Sequence, residues 1–366
     1  MTRYGQSTKD GSARKDVAQA GYANARVRGM RSHLLSPESI SALVDLPDIT
    51  TVIQALDLTP YGPEVQEATL QGRSAAQVDD GLRQNMVHTY RRVLGFMSQP
   101  MLGVLETLLG RWDVFNIKTI LRAKNMHLGF EEIEAGLLAV ASLAPVDLDA
   151  LSRLPDVRSV IDTLATWRVP YARALGRAYP EFSRTGNLAV LELALDSYYF
   201  AWASDRLSGK GIDRKSARQL MAVQADTTNL VTVFRLQQAD LGEMRAEEFF
   251  LPGGKYVNRQ MYIELAGKSD IDEVLDALGR TPYGAPLEGA AEIYLEENAI
   301  SVLERALEDY MMRKAVALGL GDPFSVGIPV SYLWAKSNEV TNLRVVVKGV
   351  ASGLPAERIR RELIVV

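Results

Sequence analysis

The chain has 366 residues, a net charge of −4 and no cysteine, which excludes disulfides and thiolate metal sites and argues against nucleic acid, a partner that wants a basic surface. Hydrophobic residues make up 47% and charged ones 23%, the balance of a folded chain long enough to bury large cores. No apolar run approaches the roughly 18–20 residues of a membrane span; the longest, GLLAVASLAPV at 136–146, is too short and ends in Pro and Val.

The opening residues MTRYGQSTKDGSARKD are polar, with no apolar core for a signal peptide, and residues 1–20 read as a flexible tail. A helix is expected around YANARVRGMRSHLL, 22–35, ending in Leu35-Ser-Pro37. Next comes LPDITTVIQALDLTPYG, 46–62, in which Val52 and Leu56 follow Asp48 by four and eight residues. That spacing marks one helix face, with the aspartate as N-cap. Pro60-Tyr61-Gly62 is a turn, since Pro fixes φ and Gly permits positive φ. Residues 82–109 read as a long amphipathic helix, and NIKTILR at 116–122 lies on the next one.

The same landmarks then return in the same order. Leu143-Ala-Pro145, Asp156 with Val160 and Leu164, and NLVTVFR at 229–235 form the second set. Leu251-Pro252, Asp270 with Val274 and Leu278, a second Pro282-Tyr283-Gly284 turn, and NLRVVVK at 342–348 form the third. Asn116, Asn229 and Asn342 are separated by two equal intervals of 113 residues. A period this long is a domain, not a solenoid unit. The expected organisation is a triplicated helical domain: 21–142 (a leading helix plus the first repeat), 143–251 and 252–366. Segments 188–207 and 289–318 read as long helices, and EEIEAGLLAVASLAP, 131–145, is expected to lead into the second repeat as 22–35 leads into the first. The valine run in LRVVVKGV favours strand by propensity, but its two aligned copies are helical, so the expected fold is all-α.

In the first signature Asp113, Asn116, Ile117, Ile120 and Leu121 fall at i, i+3, i+4, i+7 and i+8, one continuous helix face. Asp226 and Asn229 head the second copy, Glu339 and Asn342 the third. A buried Asn must find partners for its oxygen and its amide hydrogens. Each is expected to tie its helix to exposed backbone of a neighbouring helix end or turn; the functional alternative has the three lining a shared opening. Arg122, Arg235 and Lys348 lie off the stripe and read as surface cations.

Enzyme chemistry is not legible. Gly267-Lys268-Ser269 imitates the end of a phosphate-binding loop, but position 262, where that loop needs Gly, is Tyr. His33, His88 and His127 are scattered without ligand spacing. Asp79-Asp80 lacks a further spaced Asp, and Glu247-Glu248 and Glu296-Glu297 are adjacent pairs that point two ways on a helix. No catalytic residue, cofactor, metal or small-molecule substrate is expected.

Four stretches resemble the C subunit of the archaeal and bacterial V/A-type rotary ATPases, whose eukaryotic relative is the d subunit of the V-ATPase: YANARVRGMRSHLLS at 22–36, WDVFNIKTILRAKNMHLG at 112–129, LELALDSYYF at 191–200, and DPFSVGIPVSYLWAKSNEVTNLRVVVKGVASGLPAERIRREL at 322–363. Members of that family usually carry an acid where this chain has Ser337. The resemblance implies three helical domains around a pseudo-threefold funnel. It implies a non-catalytic rotor component between a central shaft, made of the D and F subunits, and a membrane proteolipid ring. Such a component transmits torque that couples ATP synthesis or hydrolysis to proton or sodium transport, and sits peripherally on the cytoplasmic face of the cell membrane, held by its partners. The competing reading is a helical scaffold for another partner. The turns Pro60-Tyr61-Gly62 and Pro282-Tyr283-Gly284 are candidates for a partner-contact rim, since loops vary without disturbing a helical core.

Overall fold

The computed structural model describes residues 6–70, 72–238 and 246–366, and side chains from Val17 onward. Among the described residues there is no strand. The α-helices of the first half are α1 (Gln6–Arg31), α2 (Pro37–Val44), α3 (Ile49–Asp57), α4 (Gly62–Ala68), α5 (Ala75–Leu94), α6 (Gln99–Asn125), α7 (Phe130–Glu134), α8 (Pro145–Ser152) and α9 (Val157–Thr166). Those of the second are α10 (Ala172–Thr185), α11 (Ala189–Arg206), α12 (Ile212–Gln238), α13 (Arg259–Ala266), α14 (Ile271–Leu278), α15 (Gly284–Glu297), α16 (Ile300–Ala317), α17 (Gly327–Ala351) and α18 (Ala356–Arg361). The valine run lies inside α17, where Val346 and Val347 are fully buried; packing overrides strand propensity.

The repeated aspartates start helices for a local reason. Asp48 accepts from the Thr51 N–H at 2.9 Å, Asp156 from Ser159 at 2.7 Å and Asp270 from Glu273 at 2.9 Å. Each satisfies one of the orphan donors of a first helical turn. Val52, Val160, Val274, Leu56, Leu164 and Leu278 are all fully buried, so the apolar spacing faces a core in each case.

The opening residues from Gln6 belong to α1, and residues 1–5 of the expected tail lie outside the described residues; three other expectations are corrected. A helix nucleated by its packed end, at Ala20, Ala23 and Val27, extends cheaply into polar sequence. Segment 82–109 is broken at residues 95–98, because Pro100 suits only the first turn of α6. Segment 289–318 is broken at Asn298, whose φ of 51° ends α15 in the left-handed conformation. Residues 135–144 follow the short α7 and form no helix, because the backbone groups of Leu138, Ser142 and Leu143 bond to side chains of α6 instead.

Two compact units result: residues 1–105 with 312–366, and residues 106–311. In the first, α17 is nearly all buried, with Leu333, Trp334 and Val346 at its core, and it packs on α1, α2, α3 and α5. In the second, α12 gives Leu230, Val233 and Phe234 to a core completed by Val257, Tyr262, Leu265, Val274, Leu303 and Leu307. These units do not coincide with boundaries at 142/143 and 251/252. By residue count a signature helix closes its repeat, yet α12 shares its core with the segment after it, and α17 shares its core with the chain's beginning.

Candidate functional site

The signature asparagines act as peptide mimics. Asn116 Nδ2 donates to the Leu138 carbonyl at 2.7 Å, and the Leu138 N–H donates to Asn116 Oδ1 at 2.8 Å. Asn229 does the same with Leu251, at 2.9 Å in both directions. Asn342 does it with Ile364, at 2.8 and 3.1 Å, and Asn338 adds a second donor to the Ile364 carbonyl at 2.8 Å. In every case the partner lies 22 residues further along the chain. One amide meets one N–H and one C=O, so its orientation follows from the partners.

One turn earlier on each helix the acid gathers donors. Asp113 accepts from Ser142 N–H at 3.2 Å, Ser142 hydroxyl at 2.6 Å and Leu143 N–H at 3.0 Å. Burial raises its carboxyl above the ordinary value, and those hydrogen bonds only partly oppose the rise. Asp226 accepts from three successive N–H groups, Lys255, Tyr256 and Val257, at 3.2, 3.0 and 2.9 Å. Gly254 is required there, because a Cβ at that position would lie 2.1 Å from Asp226 Oδ1. Glu339 accepts from the Leu35 N–H and, at 3.3 Å, from Lys336 Nζ. The acids therefore hold Leu143, Val257 and Leu35, each just before the next helix start.

The turn tyrosines complete the arrangement and correct the expectation placed on them. Tyr61 donates to Glu339 Oε1 at 2.5 Å and Tyr283 to Asp226 Oδ2 at 2.8 Å. Both rings are buried, at 0% and 1% exposure, so neither ring faces a rim. A phenol in a core needs an acceptor for its hydroxyl, and the signature acid supplies it; burial and that acid push both hydroxyls far above their ordinary value. Of the same turns Pro60 is exposed, Gly62 buried, and Pro282 and Gly284 half-buried. Tyr171, in the Val-Pro-Tyr at 169–171, instead donates to the Gly110 carbonyl at 3.2 Å, one turn from Asp113. This role was missed in sequence, although a tyrosine closing all three turns was the available signal. Lys336 was missed too: it sits 4% exposed over the Tyr61 ring, its ammonium 3.7 Å from the centroid. Burial lowers its pKa, and Glu339 opposes that.

The signature cations lie on helix surfaces and bridge to the helix alongside. Arg122 pairs bidentately with Glu192 at 2.5 and 2.7 Å, and Arg235 with Glu304 at 2.6 and 3.1 Å. Lys348 lies 4.0 Å from Asp79, which Arg344 holds at 2.5 and 3.2 Å. Exposed pairs of this kind contribute roughly 0–1 kcal/mol each. His88 meets Glu64 at 3.0 Å, while His33 and His127 are exposed. Among the described residues no three His, Asp or Glu are grouped to hold a metal ion, and no helix is long and apolar enough to cross a membrane.

What the residues build is a set of buried polar clamps that fasten helices. The sequence matches the model of the ATP synthase (C/AC39) subunit family over residues 23–362, so the chain belongs to that family. It is 29% identical to the C subunit of the V-type ATP synthase of Deinococcus radiodurans, covering 93% of this chain and 90% of the relative. It is 28% identical to the C subunit of the A-type ATP synthase of Methanosarcina mazei, covering 98% and 97%, and 26% identical to that of Methanocaldococcus jannaschii, covering 95% and 87%.

Proposed function

We propose that this chain is the non-catalytic rotor component of a V/A-type ATP synthase, linking a central shaft of the D and F subunits to the membrane proteolipid ring on the cytoplasmic face. Its task is to pass torque between ATP synthesis or hydrolysis and proton or sodium transport. In this reading the three clamps mark three copies of one helical domain, with Asn116, Asn229 and Asn342 equivalent, set as a pseudo-threefold funnel. The clamps are the observation that carries it. Torque transmission needs a body whose helices do not slide, and each clamp ties a long helix to distant backbone through buried bonds that are expensive to break. Partner contacts then belong to the exposed parts of the turns, Leu58 and Pro60 in the first repeat, and not to the tyrosine rings.

The test is reconstitution with a D–F shaft across a salt series. Binding of the wild type, weakening as salt rises, is expected for a polar interface; absence of binding at every salt concentration would sink the rotor reading. Calorimetry with ATP and magnesium should show no stoichiometric binding.

A further inference from the structure

Helix α10 follows Tyr171 as α4 follows Tyr61 and α15 follows Tyr283, but its outer face has a different charge. Arg173, Arg177 and Arg184 are exposed and stand at i, i+4 and i+11, within about 40° of one another on a helical wheel. They form a row about 16 Å long at 1.5 Å per residue, with Pro180 inside the helix between Arg177 and Arg184. Exposed Arg168 precedes the row. Counting from the turn tyrosines, Arg177 corresponds to Glu67 of α4 and Gly289 of α15, and Arg184 corresponds to Glu296. The repeated fold does not call for these cations.

Their lack of partners sets them apart from several other surface arginines. Arg122, Arg153, Arg158, Arg235, Arg259 and Arg360 each sit on a carboxylate. Among the described residues no ion pair or hydrogen bond engages the side chain of Arg168, Arg173, Arg177 or Arg184. Glu181 is the one acid on α10, four residues after Arg177 and three before Arg184, yet it forms no ion pair with either, and Asp162 of α9 is taken by Arg158. Trp167, one residue before Arg168, is 39% exposed, whereas Tyr179 and Phe182 are half-buried on the opposite, Leu175 side of the helix.

We propose that the outer face of α10 rests on an anionic lipid surface, with Arg168, Arg173, Arg177 and Arg184 contacting headgroup phosphates and Trp167 at the interface. A row of unpaired, exposed guanidinium groups along one helix face suits a plane of repeated phosphates, whereas a protein carboxylate is met one at a time. Arginine forks bind phosphate bidentately, and tryptophan is enriched at headgroup depth. The apolar side of α10 is committed to the core through Leu175, so the contact is electrostatic adsorption without insertion. This inference does not rest on the rotor assignment.

The experiment sediments the full chain with vesicles of pure phosphatidylcholine or of phosphatidylcholine containing phosphatidylglycerol, across a salt series. Binding is expected only to the anionic vesicles and should fall with salt. Each arginine near such a surface is worth roughly a fivefold change in partition, so Arg173→Gln with Arg177→Gln and Arg184→Gln should weaken binding on the order of a hundredfold. All three are exposed, so an unchanged unfolding midpoint confirms folding of the variant. A charge-matched control, Arg28→Gln with Lys210→Gln and Arg280→Gln, should lose far less. No preference for anionic vesicles, or equal losses in both triple variants, overturns the proposal. So does binding to polyglutamate without binding to vesicles, which would assign the row to an acidic protein. Shaft association measured on the same variants reports on the rotor reading separately.

Discussion

Asn229 lies at 0% exposure with both ends of its amide bonded to Leu251. A leucine there would strand a peptide N–H and a peptide C=O in the interior. Each orphaned group costs about 1–3 kcal/mol, so Asn229→Leu should lose about 2–6 kcal/mol, read as a lower denaturant midpoint. Tyr283→Phe, which leaves Asp226 its three backbone donors, should cost only about 1–2 kcal/mol. Equal midpoints for wild type and Asn229→Leu would remove the clamp argument. Asp113 adds a pH signature. Burial holds its carboxyl above the ordinary value of 3.8, so the folded state favours the protonated form. Its contribution to stability is complete below 3.8 and is lost as pH rises through the higher folded value. The stability difference between wild type and Asp113→Asn should therefore fall as pH rises from about 3 toward 7. A difference that is flat, or that grows with pH, would contradict the assignment.

At the scale of elements, the ends of the signature helices show how much of the fold was legible. The caps at Asp48, Asp156 and Asp270 could be read because donor and acceptor lie three residues apart, and a pattern that short is visible in the chain. Residues 135–144 could not be read, because apolar spacing suggests helix and the groups that prevent it, on Asn116 and Asp113, come from elsewhere in the sequence. The buried role of Tyr61 was hidden for the same reason, its partner Glu339 being 278 residues away. The far ends of α6 and α17 offer a local test. Both close with a residue in the left-handed region, His127 at φ 57° and Gly353 at φ 65°. In both the following N–H reaches back to the helix, Leu128 to Ala123 and Leu354 to Gly349, each at 2.9 Å, the pattern of a Schellman cap. A Cβ makes that conformation cost about 1–2 kcal/mol, partly offset by the greater freedom glycine has when unfolded. His127→Gly should therefore stabilise by about 0.5–1 kcal/mol, and Gly353→Ala should destabilise by a similar amount. Thermal unfolding of the two variants checks the pair, and a lower midpoint for His127→Gly would refute the strain argument.

For the whole molecule, the first compact unit takes residues from both ends of the chain, 1–105 and 312–366. Its core cannot form from the first part alone. Without residues 312–366, Tyr61 loses Glu339, Tyr90 loses the Leu333 carbonyl at 2.8 Å, and Asn24 loses the carbonyls of Pro323 and Ser325, both at 2.9 Å. The apolar loss is larger still, since Trp334, Leu333, Val346 and Val347 are all fully buried. Each such side chain is worth roughly 1.5–3 kcal/mol, so the missing share approaches the 5–15 kcal/mol that keeps a domain folded. A fragment of residues 1–105 should therefore show no cooperative unfolding transition. Adding a second fragment, 312–366, should restore helical circular dichroism and a transition whose midpoint rises with fragment concentration, as mass action requires. Glu339→Ala in the second fragment should weaken that reassembly, because it leaves the Leu35 N–H and the Tyr61 hydroxyl without their acceptor. In the intact chain the same dependence means that residues 1–105 can close their core only after α17 is made, while 106–311 can fold earlier. A cooperative transition for 1–105 on its own would show that α17 only covers a core already complete, and this order of folding would then fail.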